Sequence, residues 1–313
     1  MLRFLVRRTV AGAAMLLVIS TLAFTLLYLT GADIARNLLG DNASQEAVDL
    51  RAAQLGLDRP LGERYLDWLS GAVRGDLGTS WFGGSSVVDL LASRLGVTLS
   101  LVVLSTLLSA VVATVLGVWA AVRRGWVDRV VQVFSMAGAA IPNYLVALGL
   151  VLVFAIDLAW FAPTGYTRPE VSVGAWLASI ALPVAALTVG CIAGTAQQVR
   201  SAMIDALRQD YVRTLRSRGL PERSVVYRHV LRNAAGPGLS VLALQFVGLL
   251  GGAVVIEQMF AVPGLGALSV ASTRQGDIPV IMGVVVVIAV IVILVNLLID
   301  LAQGWLDPKA RTA

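Results

Sequence analysis

Six stretches of this chain carry no charged residue and run for more than 20 residues: 9–30, 97–122, 130–156, 171–199, 233–256 and 278–299. A helix of about 20 residues crosses a hydrocarbon layer of ~30 Å, so each stretch is long enough to span a bilayer. The composition points the same way. The 313 residues are 58% hydrophobic and 14% charged, where soluble domains carry about 25% charged residues. The expected fold is an all-α polytopic membrane protein with six transmembrane helices. The first run follows Arg3, Arg7 and Arg8. It is longer than the apolar region of a signal peptide and has no clear small-residue cleavage site after it, so it reads as an uncleaved first helix.

The basic residues orient the spans. With the N-terminus inside, the inner pieces 1–8, 123–129, 200–232 and 300–313 hold 16 of the 24 Lys and Arg residues. The acids are biased the other way, with 13 of 19 outside. An excess of Lys and Arg in cytoplasmic loops is the usual bias, so both termini are expected in the cytoplasm. The turn Arg123-Arg124-Gly125-Trp126 closes one inner loop, and its tryptophan suits the membrane interface.

The scarce residue types exclude several chemistries. The single lysine, Lys309, is followed by Ala310, so there is no Gly-Lys-Ser/Thr phosphate loop. One cysteine, Cys191, and one histidine, His229, cannot build a His/Cys zinc site or an intrachain disulfide. No nucleophile–base pair stands out as an intramembrane hydrolase. The spans contain no acid or base for ion coupling, which counts against an ATP-independent secondary transporter.

The chain divides into an N-terminal helix (1–30), a long outer segment (31–96), a membrane domain (97–303) and an inner tail (304–313). The outer segment has turn signals at Leu57-Asp58-Arg59-Pro60 and Gly75-Asp76-Leu77-Gly78. Short helices are expected there, forming a cap over the outer mouth, with Tyr65, Leu66, Trp68 and Leu69 making a face worth burying. Pro142 predicts a kink in the third span.

Charge is concentrated in 200–232, which holds eight arginines. At about 2.5–3.5 kcal/mol per arginine at mid-bilayer, this segment belongs in water or against a polar partner. From Gln198 to Arg218 nothing breaks a helix. Gly219 then suits a left-handed cap, Leu220 is pushed out of the helical region by the proline after it, and Pro221 and Glu222 suit the start of a second helix. Val226 and Val230, with Tyr227 and Leu231, supply its apolar face. Two short helices at a sharp angle make a knob. From spacing alone, anionic lipid and a docked protein remain open as its contact.

This segment resembles the EAA motif of bacterial ABC importer permeases. Gly219 takes the motif glycine, Arg213, Thr214 and Leu215 stand in place of EAA, and His229, Leu231 and Arg232 in place of Ile-x-Leu-Pro. The variant YVRTxRxxGL…RHxLRNA is similar to the B-type permease subunits of dipeptide and oligopeptide importers. So are Leu55-Gly56-Leu57-Asp58-Arg59-Pro60-Leu61, Gly75 to Ser80, Ala162-Pro163-Thr164-Gly165-Tyr166, Val262 to Gly266 and Leu306-Asp307-Pro308.

That resemblance implies a type I ABC importer transmembrane domain that forms half of a peptide translocation path. Nickel and glutathione permeases look similar, and stay open as alternatives. It implies a second homologous permease subunit, one or two ABC ATPase subunits that bind ATP and magnesium, an extracytoplasmic substrate-binding protein, and no nucleic-acid partner. The bacterial cytoplasmic membrane would be the location, and the chain itself would catalyse nothing. The knob would be the coupling surface, using Arg213, Arg216, Arg218, Gly219, Leu220, Pro221, Glu222, Tyr227, His229 and Leu231. His229 would pack or hydrogen-bond within the knob, and Arg213 in place of glutamate removes the basis for that glutamate's ion pair. Pro263, Gly264, Leu265 and Gly266 would turn tightly on the binding-protein side.

Polar residues inside spans mark paths or helix contacts. Asn143 and Gln245 are candidates of either kind. Glu257, at the outer end of the fifth span, is expected to be exposed enough to meet substrate or binding protein. Asn296 and Asp300 are expected at helix contacts and the inner interface. Gly190 with Gly194, and Gly248 with Gly252, have the spacing for close helix approach.

Overall fold

Hydrocarbon offers no partner to a bare amide, so apolar runs of this length close their hydrogen bonds within themselves as helices. The computed structural model describes residues 2–30, 34–40 and 42–306. Asp307, Pro308 and the rest of the tail to 313 lie outside the described residues, as do 31–33 and Asp41 of the outer segment. Five helices are long and apolar enough to cross a membrane, and a bent pair, Gly125–Ala140 with Asn143–Asp157, makes six if its halves count as one span. The described chain forms two compact units.

The first unit takes residues from Met1–Val97 and Pro263–Leu294. It contains α1 (Leu2–Thr30), α2 (Ile34–Leu39), α3 (Gln45–Gln54), α4 (Leu61–Val73), the start of α5 (Val87–Arg123), α12 (Leu265–Gln275) and most of α13 (Ile278–Leu306). The outer segment carries the short helices α2, α3 and α4, and residues 74–86 form a non-helical loop before α5. Its core joins Phe24 of α1 with Ile34, Ile278 and Met282, and Tyr65 and Trp68 of α4 pack on it. The Tyr65 hydroxyl meets the hydroxyls of Ser20 and Thr21 at 2.9 Å each. Arg64 lies 3.7 Å over the Tyr28 ring, and partial burial lowers its pKa. Leu66 departs from the expected face and is 64% exposed. It sits one residue past Tyr65, and neighbouring positions on a helix face different ways.

One close approach in this unit admits only glycine. A Cβ on Gly283 of α13 would fall 2.5 Å from Val87 Cγ1 and 2.9 Å from Leu91 Cδ1. Gly283→Leu is expected to destabilise the protein by roughly 1–3 kcal/mol, the usual cost of overpacking. The check is a lower thermal unfolding midpoint in detergent. An unchanged midpoint would show that α13 and α5 separate freely here.

The second unit takes residues from Thr98–Val262 and Val295–Ala313. After the rest of α5 come α6 (Gly125–Ala140) and α7 (Asn143–Leu150), which continues as a π-helical stretch, Val151–Asp157. Then follow α8 (Val173–Leu207), α9 (Asp210–Ser217), α10 (Glu222–Ser224), a second π-helical stretch, Val225–Val230, and α11 (Leu231–Met259). The third span is more than kinked. Its two halves meet at 99° across Ile141 and Pro142, because proline supplies no amide hydrogen and restricts the residue before it.

The long helix α8 is the spine of this unit, with α6, α7 and α11 against it. Gly117 of α5 lets the α8 backbone in close, since a Cβ there would lie 2.8 Å from the Ala196 carbonyl. Buried hydroxyls complete the contact. Ser105 donates to the Val184 carbonyl at 3.3 Å, and Ser109 and Thr188 bond back to carbonyls one turn earlier. A hydroxyl can therefore sit in an apolar interior without an orphaned donor.

Candidate functional site

The arginine-rich segment folds differently from two short helices. A single short helix, α9, joins two spans, and α10 runs without a break through the π-helical stretch into α11. The chain breaks at Arg208 and Gln209, where Gln209 is extended (φ −69°, ψ 148°). No glycine or proline announced that break. The one local signal is Asp210, an acid that suits a helix N-terminus.

Packing decides the break. Val118 and Ala121 of α5, Val199 and Met203 of α8, Val212 of α9, and Val225, Val226, Val230 and Ala234 form one buried cluster. Tyr211, Leu215 and Leu220 lean on it. Only a bent chain brings Val212 back onto Met203, and burying such a side chain contributes about 1.5–3 kcal/mol. An isolated helix of eight residues is unstable in water, so this floor holds α9 in place.

The far end of α9 is capped by backbone. Gly219 has φ +78°. Its N–H donates to the Arg216 carbonyl at 2.9 Å, and the Leu220 N–H donates to the Leu215 carbonyl at 3.3 Å. This is a Schellman cap, with Leu220 and Leu215 as its apolar pair. Pro221 is the N-cap of the next helix, and its carbonyl accepts from Ser224 and Val225.

Arg216 then closes the corner. It donates two hydrogen bonds to the Glu222 carboxylate, at 3.1 and 2.6 Å, and the carboxylate raises its pKa. Both side chains are about half exposed, so this fork sets geometry and adds at most about 1 kcal/mol. Arg213 faces Asp210 at 3.7 Å and is 82% exposed. Arg218 is exposed, and His229 and Leu231 are half-buried. Tyr227, expected on the apolar face, is 62% exposed instead. The π-helical stretch shifts the register, so Val225, Val226 and Val230 take the buried side.

An ion pair that sequence reading passed over ties this site to the third span. Arg200 of α8 grips both carboxylate oxygens of Asp128 of α6, through Nε and through a terminal nitrogen at 2.6 Å. Each side chain is 16% exposed. One acid at the end of one span and one base at the end of the next were the only signs of it.

The membrane candidates divide. Gly190 and Gly194 of α8 make room for amides. A Cβ on Gly190 would lie 2.9 Å from Asn143 Oδ1, and one on Gly194 would lie 2.6 Å from Gln245 Nε2. Gly252 of α11 faces Asn143 Nδ2 at 3.5 Å on the same test. Gln245 Oε1 is buried and has no hydrogen-bond partner among the described residues. Glu257 corrects the expectation of exposure. It is wholly buried and accepts a 2.6 Å hydrogen bond from the Thr98 hydroxyl, because a carboxylate at this depth is tolerable only when solvated by protein donors. Its side chain is therefore not part of the surface of this chain.

The stretch Pro263 to Gly266 is corrected too. Gly264 is a helix N-cap, and α12 begins at Leu265. Gly264, Leu265 and Gly266 are buried, so Pro263 alone is exposed. A second buried acid, Asp277, accepts from the Ser80 hydroxyl at 2.5 Å and the Trp81 N–H at 3.2 Å. It pins the loop containing Gly75 to Ser80 to the chain after α12.

Apolar spans joined by a capped, cationic elbow are the build of a membrane component. Residues 113–312 match the family described as "Binding-protein-dependent transport system inner membrane component". Residues 1–102 match "Binding-prot-dependent transport system membrane comp, N-term". The chain belongs to this family of ABC transporter permeases. It is 36% identical over 309 residues to the "Probable peptide ABC transporter permease protein y4tP" of Sinorhizobium fredii, covering 98% of this chain and 99% of that one. It is 34% identical over 318 residues to the "Glutathione transport system permease protein GsiC" of Escherichia coli, covering 99% of each.

Proposed function

We propose that this chain is the permease subunit of an ATP-driven peptide importer in a bacterial cytoplasmic membrane, with both termini inside. The carrying observation is end-to-end similarity to peptide permeases, joined to an elbow whose one side is buried and whose other side is charged. Such an elbow suits a soluble motor, and the chain has no phosphate loop of its own.

In this reading α9 and the turn through Glu222 are the coupling surface, where one or two ATPase subunits carrying ATP and magnesium dock. A second, homologous permease completes the path, and a substrate-binding protein delivers cargo outside. Asn143 and Gln245 line that path, where amides can pair with peptide groups. Glutathione is the second cargo reading, supported by the relative named for its transport.

The test is purification in mild detergent from the native membrane, with mass spectrometry of what is retained. An ATPase and a second permease are expected, together with ATP-dependent peptide uptake after reconstitution with the binding protein. This chain alone, transporting in liposomes without ATP, would overturn the reading in favour of a secondary transporter.

A further inference from the structure

Two hydrogen-bond donors of the outer segment are left over. Arg64 Nη2 and Trp68 Nε1 are both buried and have no hydrogen-bond partner among the described residues. The two residues stand four apart on α4, so they share one face of that helix. The rings opposite show where that face lies. The Arg64 guanidinium sits 3.7 Å over the Tyr28 ring. The Trp68 ring lies 6.1 Å from Phe24, one turn deeper along α1. Phe24 and Tyr28 are themselves 4.3 Å apart. Both residues therefore lie in the seam between α4 and α1.

The arginine is short of counter-charge. The acids of its own helix, Glu63 and Asp67, both go to Arg59 on the exposed side. Among the described residues Arg64 has only the Leu57 carbonyl as a hydrogen-bond acceptor, at 3.4 Å. Burial lowers its pKa, as for a cation taken out of water without an anion beside it. Buried donors are normally filled. Two unfilled donors on one face, one of them charged, fit a ligand with an oxyanion and a second acceptor about one helical turn away.

Depth selects the ligand. The first span runs Val6–Tyr28, so Tyr28 marks the edge of the hydrocarbon, where lipid phosphates begin. Tyr28, Tyr65, Trp68 and Trp81 gather on one small core there, and Tyr and Trp are the residues enriched at that level. Trp68 is one turn deeper, about 5 Å, which is the level of the glycerol ester carbonyls. Leu17 continues the Phe24 face two turns deeper and is exposed, so α1 offers an acyl chain apolar surface below the seam. Both Arg64 and Trp68 keep part of their surface exposed, and rotation of their side-chain bonds carries the donors to the lipid side.

We infer that Arg64 and Trp68 form a phospholipid site, in which the guanidinium takes the phosphodiester and the indole N–H takes a glycerol ester carbonyl one turn deeper. Arginine suits a phosphate because its donors form a planar fork, and its charge favours an anionic lipid such as phosphatidylglycerol. The site requires α1 to be a span and is independent of the cargo.

The protein, with the subunits that accompany it in mild detergent, is titrated with short-chain phosphatidylglycerol, and bound lipid is counted by native mass spectrometry. Arg64→Gln is expected to weaken the tightest-bound lipid about tenfold, and Trp68→Phe about threefold. The phenylalanine keeps a packed ring and removes only the donor, so it tests the site even if Arg64→Gln folds poorly. The dialkyl-ether form of the lipid keeps the phosphate and lacks the ester carbonyls. It is expected to bind the wild type about threefold more weakly than the ester lipid, and to be indifferent to Trp68→Phe. Arg59→Gln is expected to leave binding unaltered. Lipid affinity unaltered in both Arg64→Gln and Trp68→Phe overturns the site. Ether and ester lipids equally sensitive to Trp68→Phe overturn the carbonyl contact. Displacement of the lipid by millimolar inorganic phosphate assigns the donors to a free oxyanion, and displacement by a dipeptide assigns them to a peptide carboxylate. Either result overturns the lipid assignment.

Discussion

Gly219→Pro is expected to abolish ATP-driven uptake while the chain still inserts in the membrane. The native φ of +78° is closed to proline, whose ring holds φ near −65°. The substitution also deletes the N–H that donates to the Arg216 carbonyl, and it displaces the Leu220 N–H from the Leu215 carbonyl. A proline against its backbone geometry costs about 3 kcal/mol or more, which exceeds what the half-exposed Arg216–Glu222 fork can offset. The cap opens and α9 loses its fixed angle. Gly219→Ala is the graded control, since an alanine at positive φ costs only about 1–2 kcal/mol. It is expected to lower uptake partially. Both variants are read as peptide uptake and ATP hydrolysis in reconstituted complex, with membrane insertion measured alongside. Normal uptake by the proline variant would remove the elbow from the coupling route.

Asp128→Ala is expected to lower stability by on the order of 3 kcal/mol, the scale for stranding one member of a largely buried ion pair. Arg200 would keep its charge at 16% exposure with no carboxylate in reach. The readout is the thermal midpoint in detergent. The double variant Asp128→Ala with Arg200→Leu is expected to recover most of the loss, because neither charge is then stranded. The pair joins α6 to α8 seven residues before α8 ends, so coupled transport is expected to fall with stability in the single variant. A double variant as unstable as the single would show that the pair's hydrogen bonds, rather than the stranded charge, set the cost.

Much of the site is visible in residue order. The turn at Gly219-Leu220-Pro221 is local chemistry, because a left-handed position and a proline restrict the backbone whatever surrounds them. The start of the next helix at Glu222 follows from the same residues. The break at Arg208 and Gln209 is not local. It exists because Val212 and Leu215 find a floor made by α5, α8 and the start of α11. Likewise, nothing in the spacing of the eight arginines says that Arg216 pairs with Glu222 and Arg218 does not. Gly190 and Gly194 have the spacing of a close helix contact, but whether they admit a helix or an amide depends on Asn143 and Gln245.

The sequence by itself determined the membrane class, the six apolar runs, the capped turn and the family resemblance. Those features rest on transfer energies and backbone restrictions that add up residue by residue along the chain. Only the tertiary structure decided that Glu257 is buried against Thr98, 159 residues away, and that Asp277 holds Ser80, 197 residues away. It also decided that Leu265 and Gly266 are covered rather than presented. A buried polar group is tolerable only where a specific donor stands beside it, and residue order does not say which distant hydroxyl that will be.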